Sequence, residues 1–433
     1  LLAEIFGGEA NIVTEYNLYG YATAVFLLIL ALWHGVYLQH TRRFYWGLIT
    51  ATIGMLIPLV QLIPLPRLFY SGSSKRDEIY AIYSDLGQHL DYLPITLTPE
   101  ETLNSAMFYL QVYAIFIGVS QLNWFQRKLL CAVICAFGII NFSSILLDVN
   151  LNDVFINAAY ETKLYFGLFR NPNHASVFFC LNILLLFGSC IEKLKVNRDK
   201  RINRAHLLFL VFAMYIAGVY LCGSRAGFIL IIVVLVFIGL FVFLAGDFRR
   251  NIPWRVSLGC GLLSVCIAVF LLNETVLFKG FIIDTLRWGY FQDTFRAILD
   301  FFPLGSGFGS FEKIYPMYEP VSSYSFLYIR HAHNDWLEVI LEGGAMAIIA
   351  LLLGISWWLK GVIYYWSRIV RCVPGLTKEL ALPCAASIGI GLLLLHSFVD
   401  FPLRVGGVCI VFGLLAGLMV EPPSGLSETK ESG

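Results

Sequence analysis

The sequence predicts an all-α polytopic membrane protein, and three observations carry that prediction. Of 433 residues, 58% are hydrophobic and only 14% charged, where a soluble domain carries about a quarter charged; mean hydropathy is +0.74. Apolar runs recur whose lengths approach the ~20 residues a helix needs to cross the hydrocarbon core. Lys and Arg gather in every second connection between those runs.

Eleven transmembrane helices are predicted, at 20–38, 45–63, 105–122, 129–147, 174–191, 206–222, 227–246, 256–273, 336–359, 380–398 and 404–420. The basic connections QHTRRF (39–44), NWFQRK (123–128), EKLKVNRDKRINR (192–204), DFRRNIPWR (247–255) and 360–378 are cytoplasmic, because Lys and Arg are retained on that side. The connections 64–104, 148–173, 223–226, 274–335 and 399–403 then face the periplasm, and 421–433 is a cytoplasmic tail. Residues 1–19 hold three Glu and no basic residue, so they too fall outside. The chain starts at Leu1 with no recognisable export signal, so a twelfth helix is expected upstream. Residues 1–433 read as a single integral membrane domain, with 64–104 and 274–335 as long periplasmic loops, the second containing short helices.

Several function classes are disfavoured. A net charge of +1 gives no reason to expect nucleic acid, and no phosphate-binding Walker loop, dinucleotide fingerprint or HExxH helix occurs, so no cofactor is expected. The ten cysteines lie in or beside apolar runs without CxxC pairing, which reads as core packing. His331 and His333 form an HxH pair but lack an identifiable third ligand, so no metal is expected.

Polar residues collect on the predicted outer face. GLFRNPNHASVFF (167–179), GSRAGF (223–228), 284–311, RHAHNDW (330–336) and VDFPLR (399–404) all reach it. Leu286, Tyr290, Phe291, Phe295, Ile298 and Phe302 recur at helical spacing, an apolar stripe suited to lying on membrane or on other helices. PLGSGFGSF (303–311) then breaks that helix and is expected to expose backbone N–H groups to a ligand. Guanidinium forks bind phosphate bidentately, and Arg225, Arg287 and Arg296 together can hold a diphosphate; Arg170 and Arg404 are further candidates. His333 is the candidate general base, with His331, Asn334 and Asp335 orienting it or the acceptor. Asn171 and Asn173 are further substrate-binding candidates. Asn334, Glu338 and Glu342 follow at four-residue intervals, a polar face expected to line a watery cavity. Asn334 or Asp335 is also a good helix N-cap. The 64–104 loop, with Arg76 among its charges, is expected to cover the outer face and gate acceptor entry.

These residues resemble the O-antigen ligase and Wzy-type polymerase superfamily. His333-Asn334 followed after nine residues by Gly344 is similar to its His-Asn motif, and GSRAGF, the Arg287 region and FRNPNHAS are similar to other landmarks. The resemblance is best over about 165–345. Ala347 stands where the ligase-type extension has Gly, Thr or Tyr, and Arg296 to Gly307 fits a polymerase-type spacing. The resemblance implies a metal-independent, inverting glycosyltransferase of the C-type membrane architecture at the periplasmic face of a bacterial inner membrane. It implies a donor glycan on undecaprenyl diphosphate and a sugar hydroxyl as acceptor, on lipid A-core or on another lipid-linked repeat, with membrane lipids as further partners. The residues themselves supply the roles: Arg225 and Arg287 are expected to stabilise the charge on the leaving diphosphate and His333 to take the acceptor's proton, with inversion at the anomeric carbon. Transfer to a protein hydroxyl is a related alternative. A flippase would want polar residues through mid-membrane, where the candidates are few, Asn141, Asn182, His34 and His396, and a scaffold would not need this outer-face chemistry.

Overall fold

The computed structural model describes residues 25–26, 28–30, 41–69, 74–88, 91–147, 166–190, 198–244, 285–320, 329–371 and 377–421. Over these residues the chain is helical with one two-stranded ribbon, and seven helices are long and apolar enough to cross a membrane. They are α1 (Arg42–Gln61), α3 (Pro99–Ser120), α4 (Trp124–Leu146), α5 (Pro172–Cys190), α7 (Arg225–Leu244), α10 (Asp335–Val370) and α11 (Thr377–His396). The helices α6 (Arg198–Cys222) and α12 (Gly406–Leu418) contribute shorter apolar stretches. Each overlaps an expected span, but α10 runs eleven residues past the expected end at 359, into the connection expected at 360–378, and α6 begins eight residues before the expected start at 206. The spans expected at 20–38 and 256–273 lie outside the described residues, apart from helical positions 25–26 and 28–30.

The bundle is built around α5 and α11, whose span windows are 78% and 72% buried. A helix apolar on every side belongs inside the protein, and α5 packs against α4, α6, α7 and α11. Leu181 and Leu184 on α5, Val219 on α6, Val234 on α7, Leu393 on α11 and Leu415 on α12 belong to one continuous core. On the other side α12, α3, α1 and α10 pack in succession.

One end of the bundle is closed by arginine. Arg127 is buried and donates to the carbonyls of Ser120, Leu122 and Val420, satisfying the last turns of α3 and of the chain after α12. Arg43 lies over the rings of Tyr364 and Tyr365. This is the end expected to be cytoplasmic.

At the other end, the loop after α1 forms β1 (Pro64–Pro66), α2 (Ser74–Asp85) and β2 (Tyr92–Pro94), with Leu65 opposite Leu93 in an antiparallel pair. Buried Arg76 on α2 donates to the carbonyls of Ile95 and Gly305, which pins this loop to the glycine-rich turn. The helix α8 (Thr285–Phe301) and the short α9 (Phe311–Ile314) form a small second core with Ala297, Ile298, Phe301, Phe311 and Leu341. The expected apolar stripe is therefore split: Ile298 is buried, whereas Phe295 and Phe302 are exposed.

The glycine-rich turn corrects an expectation. Its N–H groups do not wait for a ligand: Ser306 and Gly307 donate to the carbonyls of Leu341 and Glu342, Phe308 to Gln61 Oε1, and Phe311 to Glu342 Oε1. Glycine is required because this backbone meets α10 at its break. Gly344 interrupts α10 at φ 56, and a Cβ there would stand 2.2 Å from the Pro303 carbonyl. Gly305 has φ 78, and its Cβ would stand 2.3 Å from the Glu342 carbonyl.

Candidate active site

The residues 397–404 return from α11 to α12 and feed two polar clusters at this end. The first centres on Asp400, which is fully buried. His333 Nδ1 lies 3.2 Å from Asp400 Oδ1; Asn173 Nδ2 donates to Oδ2 at 2.6 Å, and Asn171 Nδ2 reaches it at 3.5 Å. Two buried imidazoles complete the shell, with His174 Nε2 and His396 Nε2 each 3.9 Å from Oδ2. Burial alone would raise the Asp400 carboxyl's pKa, but the hydrogen bond from His333 and the fields of His174, His396 and His333 hold it well below the usual range. Asp400 is thus an anion whose lone pairs are directed at histidine and asparagine.

Local sequence explains each placement. Asn171 accepts from the Asn173 N–H, and Pro172 opens α5, where a missing N–H costs nothing. Asn173 is fixed in turn by Ser224, whose hydroxyl donates to Asn173 Oδ1 while accepting from the Gly227 N–H. A Cβ at Gly227 would lie 2.4 Å from Ser176 Cβ, so the GSRAGF turn can meet α5 this closely only with glycine there. Asn334 caps α10 by accepting from the Leu337 N–H, and its amide donates to the Phe398 carbonyl.

His333 is the one non-glycine residue among those described with positive φ, at 51°. L-residues with a Cβ avoid this region, and backbone strain of this kind concentrates where function over-determines geometry. Its side chain is 29% exposed, unlike that of Asp400. The Tyr290 ring stands 6.3 Å away at 26°, and the Phe401 ring packs edge-on at 5.1 Å. Phe401 also touches the rings of His331 and His174. One turn before Tyr290 on α8, Arg287 Nη1 donates to the Val399 carbonyl at 3.0 Å, next to Asp400. Arg225, exposed at the start of α7, adjoins Ser224 and so the same network.

The second cluster centres on Arg404. Its guanidinium, 11% exposed, meets Glu342 at 2.7 Å, Glu338 at 3.3 Å and Asp335 at 3.9 Å. Glu338 also takes His331 Nδ1 at 2.9 Å and the Ala332 N–H at 2.8 Å. Asp335 takes the Ser397 hydroxyl and the Leu403 N–H. Burial disfavours a charged His331, yet the adjacent Glu338 carboxylate outweighs it and raises its pKa. The polar face of α10 therefore packs against Arg404 and does not line a watery cavity.

The structure thus brings His333, Asn171, Asn173, Arg287 and the Arg225 turn around Asp400. It places His331, Glu338 and Arg404 in the second cluster, which shares the 397–404 turn. Arg170 is half-buried beside Asn171. Arg296 stands apart: nine residues after Arg287 is two and a half turns, so the two project from opposite sides of α8, and Arg296 pairs with Asp293 at 3.2 Å. Asp400, His174 and His396 were not assigned to the site from sequence. The available signal was a carboxylate in the last outer turn, VDFPLR. Among the described residues, no three His, Cys, Asp or Glu side chains are grouped to hold a metal ion.

Fold and site together define a multi-pass helical membrane protein with a partly exposed imidazole backed by a buried carboxylate at one end of its bundle. A family model, Wzy_C, described as O-antigen ligase, matches residues 209–352, a third of the chain, and that stretch contains Arg225, Arg287, His333 and Gly344. The match supports the O-antigen ligase/Wzy-type family and, with it, a glycosyltransferase-type enzyme. That family implies a lipid-linked glycan donor and a glycan acceptor. Neither a curated protein nor a solved structure matches the chain.

Proposed function

We propose that the protein is an inverting glycosyltransferase that moves a glycan from undecaprenyl diphosphate onto a sugar hydroxyl at the periplasmic face of the inner membrane. The observation that carries this reading is His333 Nδ1 against Asp400 Oδ1 at 3.2 Å. A carboxylate at Nδ1 keeps the proton there, which leaves Nε2 as the basic nitrogen on a ring that remains partly exposed. His333 removes the acceptor hydroxyl proton as that oxygen bonds to the anomeric carbon. On the opposite face the bond from that carbon to the phosphate oxygen breaks, and the polyprenyl diphosphate departs with the electron pair. Arg287 and Arg225 counter the charge that grows on the leaving group, an electrostatic contribution of several kcal/mol in comparable sites. Asn171 and Asn173 position Asp400, and Arg170 lies at the edge of the site. Arg404, Glu338, Asp335 and His331 hold the turn on which Asp400 sits. The orientation is supported by the basic end, closed by Arg127 and Arg43, lying opposite to this site.

The test is turnover by purified protein of an undecaprenyl-diphosphate oligosaccharide, with and without core lipid. Product only with core lipid identifies a ligase, and a ladder from donor alone identifies a repeat polymerase. Undiminished turnover by His333→Ala would remove the mechanism.

A further inference from the structure

The helix α8 is apolar on two sides. Ala297, Ile298 and Phe301 enter the second core, with Ile79 of α2 packed against it. On another side Trp288, Phe295 and Phe302 stand seven residues apart, close to two full turns, with Leu299 among them. Those four side chains are 47–63% exposed. On α2, which packs against α8, Ile82 and Leu86 are exposed as well. An apolar surface of this extent marks a contact with something that the described residues do not supply.

Both ends of α8 are tied to membrane-spanning helices. The Pro303 carbonyl, just past its last turn, accepts from the Ala345 N–H at 2.8 Å, at the break in α10. The exposed Ile349 and Leu352 follow on that span, the first of them about 7.5 Å beyond Gly344 along the helix. At its first turn, Arg287 donates to the Val399 carbonyl, three residues past the end of α11. The helix therefore lies where these spans meet the membrane surface, not out in water. Its side chains suit that boundary. Trp288 belongs to the residue type enriched at membrane–water interfaces. Arg296, with its side chain two-thirds exposed, rims the face beside Leu299, where its stem lies on apolar material and its guanidinium reaches phosphate.

We infer that the outward face of α8 is seated in the bilayer leaflet at the active-site end, with Phe295, Leu299 and Phe302 among acyl chains and Arg296 at the lipid phosphates. Residues 285–302 are then an interfacial helix. The seat holds Arg287, on the side of α8 toward the bundle, at the height where the diphosphate of a lipid-linked donor lies. That consequence rests on the role proposed above for Arg287, whereas the seat itself does not.

The test is photocrosslinking of the full chain in nanodiscs of phosphatidylethanolamine and phosphatidylglycerol, with p-benzoylphenylalanine in place of Phe295 or of Leu299. The same probe in place of Lys313, an exposed position on α9, is the comparison. Lipid adducts are quantified by mass spectrometry of the peptides carrying the probe. Adducts at Phe295 and at Leu299 are expected to exceed those at Lys313 about tenfold, equivalent to ~1.4 kcal/mol. Both positions are exposed, so either probe reports if the other variant fails to fold. Adducts no more abundant than at Lys313 overturn the inference. So do crosslinks made to a second copy of the chain, or to another segment of the same chain, in place of lipid. Adduct mass needs no turnover, so a failed glycosyltransferase assay leaves the seat standing, and missing adducts leave the proposed reaction standing.

Discussion

Asp400 and Arg404 sit four residues apart on one turn, yet the clusters around them are built on opposite terms. Around Arg404 the three carboxylates are buried and charge meets charge, with two of them within 3.3 Å and the third at 3.9 Å, and the partly exposed His331 is tied to Glu338 at 2.9 Å. Around Asp400 the donors are histidines and asparagines, and one of them, His333, keeps a partly exposed ring. A network in which each carboxylate faces the same guanidinium holds position. A buried carboxylate with one accessible imidazole can also move a proton.

The contrast predicts different failures. Arg404→Met strands three buried carboxylates and should cost about 3–5 kcal/mol, enough to deplete folded protein of marginal stability. Adding Glu342→Gln should restore part of the melting temperature in detergent. A single variant that melts like wild type would mean the network holds nothing together. His333→Ala should melt slightly below wild type, because Ala keeps the Cβ that makes φ 51 costly and gives up the ring contacts to Tyr290 and Phe401 and the hydrogen bond to Asp400. Its turnover should fall about 10²–10⁴-fold. Asp400→Asn, which presents a donor to Nδ1 and so disfavours the useful tautomer, should fall by a similar order. The double variant should be no worse than either single one, since the two act as a unit; multiplied losses would separate them.

Acid and base should also act differently on the two clusters. The raised pKa of His331 means that its stabilisation is fully present below the unfolded value of about 6.5 and is lost as pH rises through the folded value. The lowered pKa of Asp400 means that its contribution is present above about 3.9 and is lost only as pH falls through the depressed value. Melting temperature should therefore decline on the alkaline side, and His331→Gln should flatten that limb alone. A flat wild-type profile above neutrality would exclude the His331–Glu338 pair as a contributor.

Much of this was readable from sequence. The spans, the basic loops and the crowding of polar residues at one end follow from composition and periodicity, and Asn334 as a cap follows from its place before an apolar helix. Asp400 was not readable as the partner of His333, because 67 residues separate them and a single carboxylate in a short outer turn carries no pattern. Arg404 looked like a phosphate ligand. Yet Asp335, Glu338 and Glu342, spaced three and four apart on an apolar helix, already demanded a buried cation. The glycine-rich turn was misread because glycine serves close approach to backbone as well as to ligand, and only the break at Gly344 shows which.

The smallest expected change concerns the arginines of α8, and it tests whether proximity to Asp400 decides function. Arg287 reaches the Val399 carbonyl beside Asp400, whereas Arg296 lies on the opposite side of the helix with an exposed side chain paired to Asp293. Asp293 is buried but the Arg296 side chain is two-thirds exposed, so solvent screens the pair, and a group that cannot reach the leaving diphosphate contributes nothing to the barrier. Arg296→Ala should thus retain turnover within about twofold, the scale of an ordinary surface substitution. Arg287→Ala should lose about 10²-fold or more, the scale of removing one preorganised donor. Equal losses would mean that the donor spans both sides of α8 and that the site is wider than the Asp400 cluster.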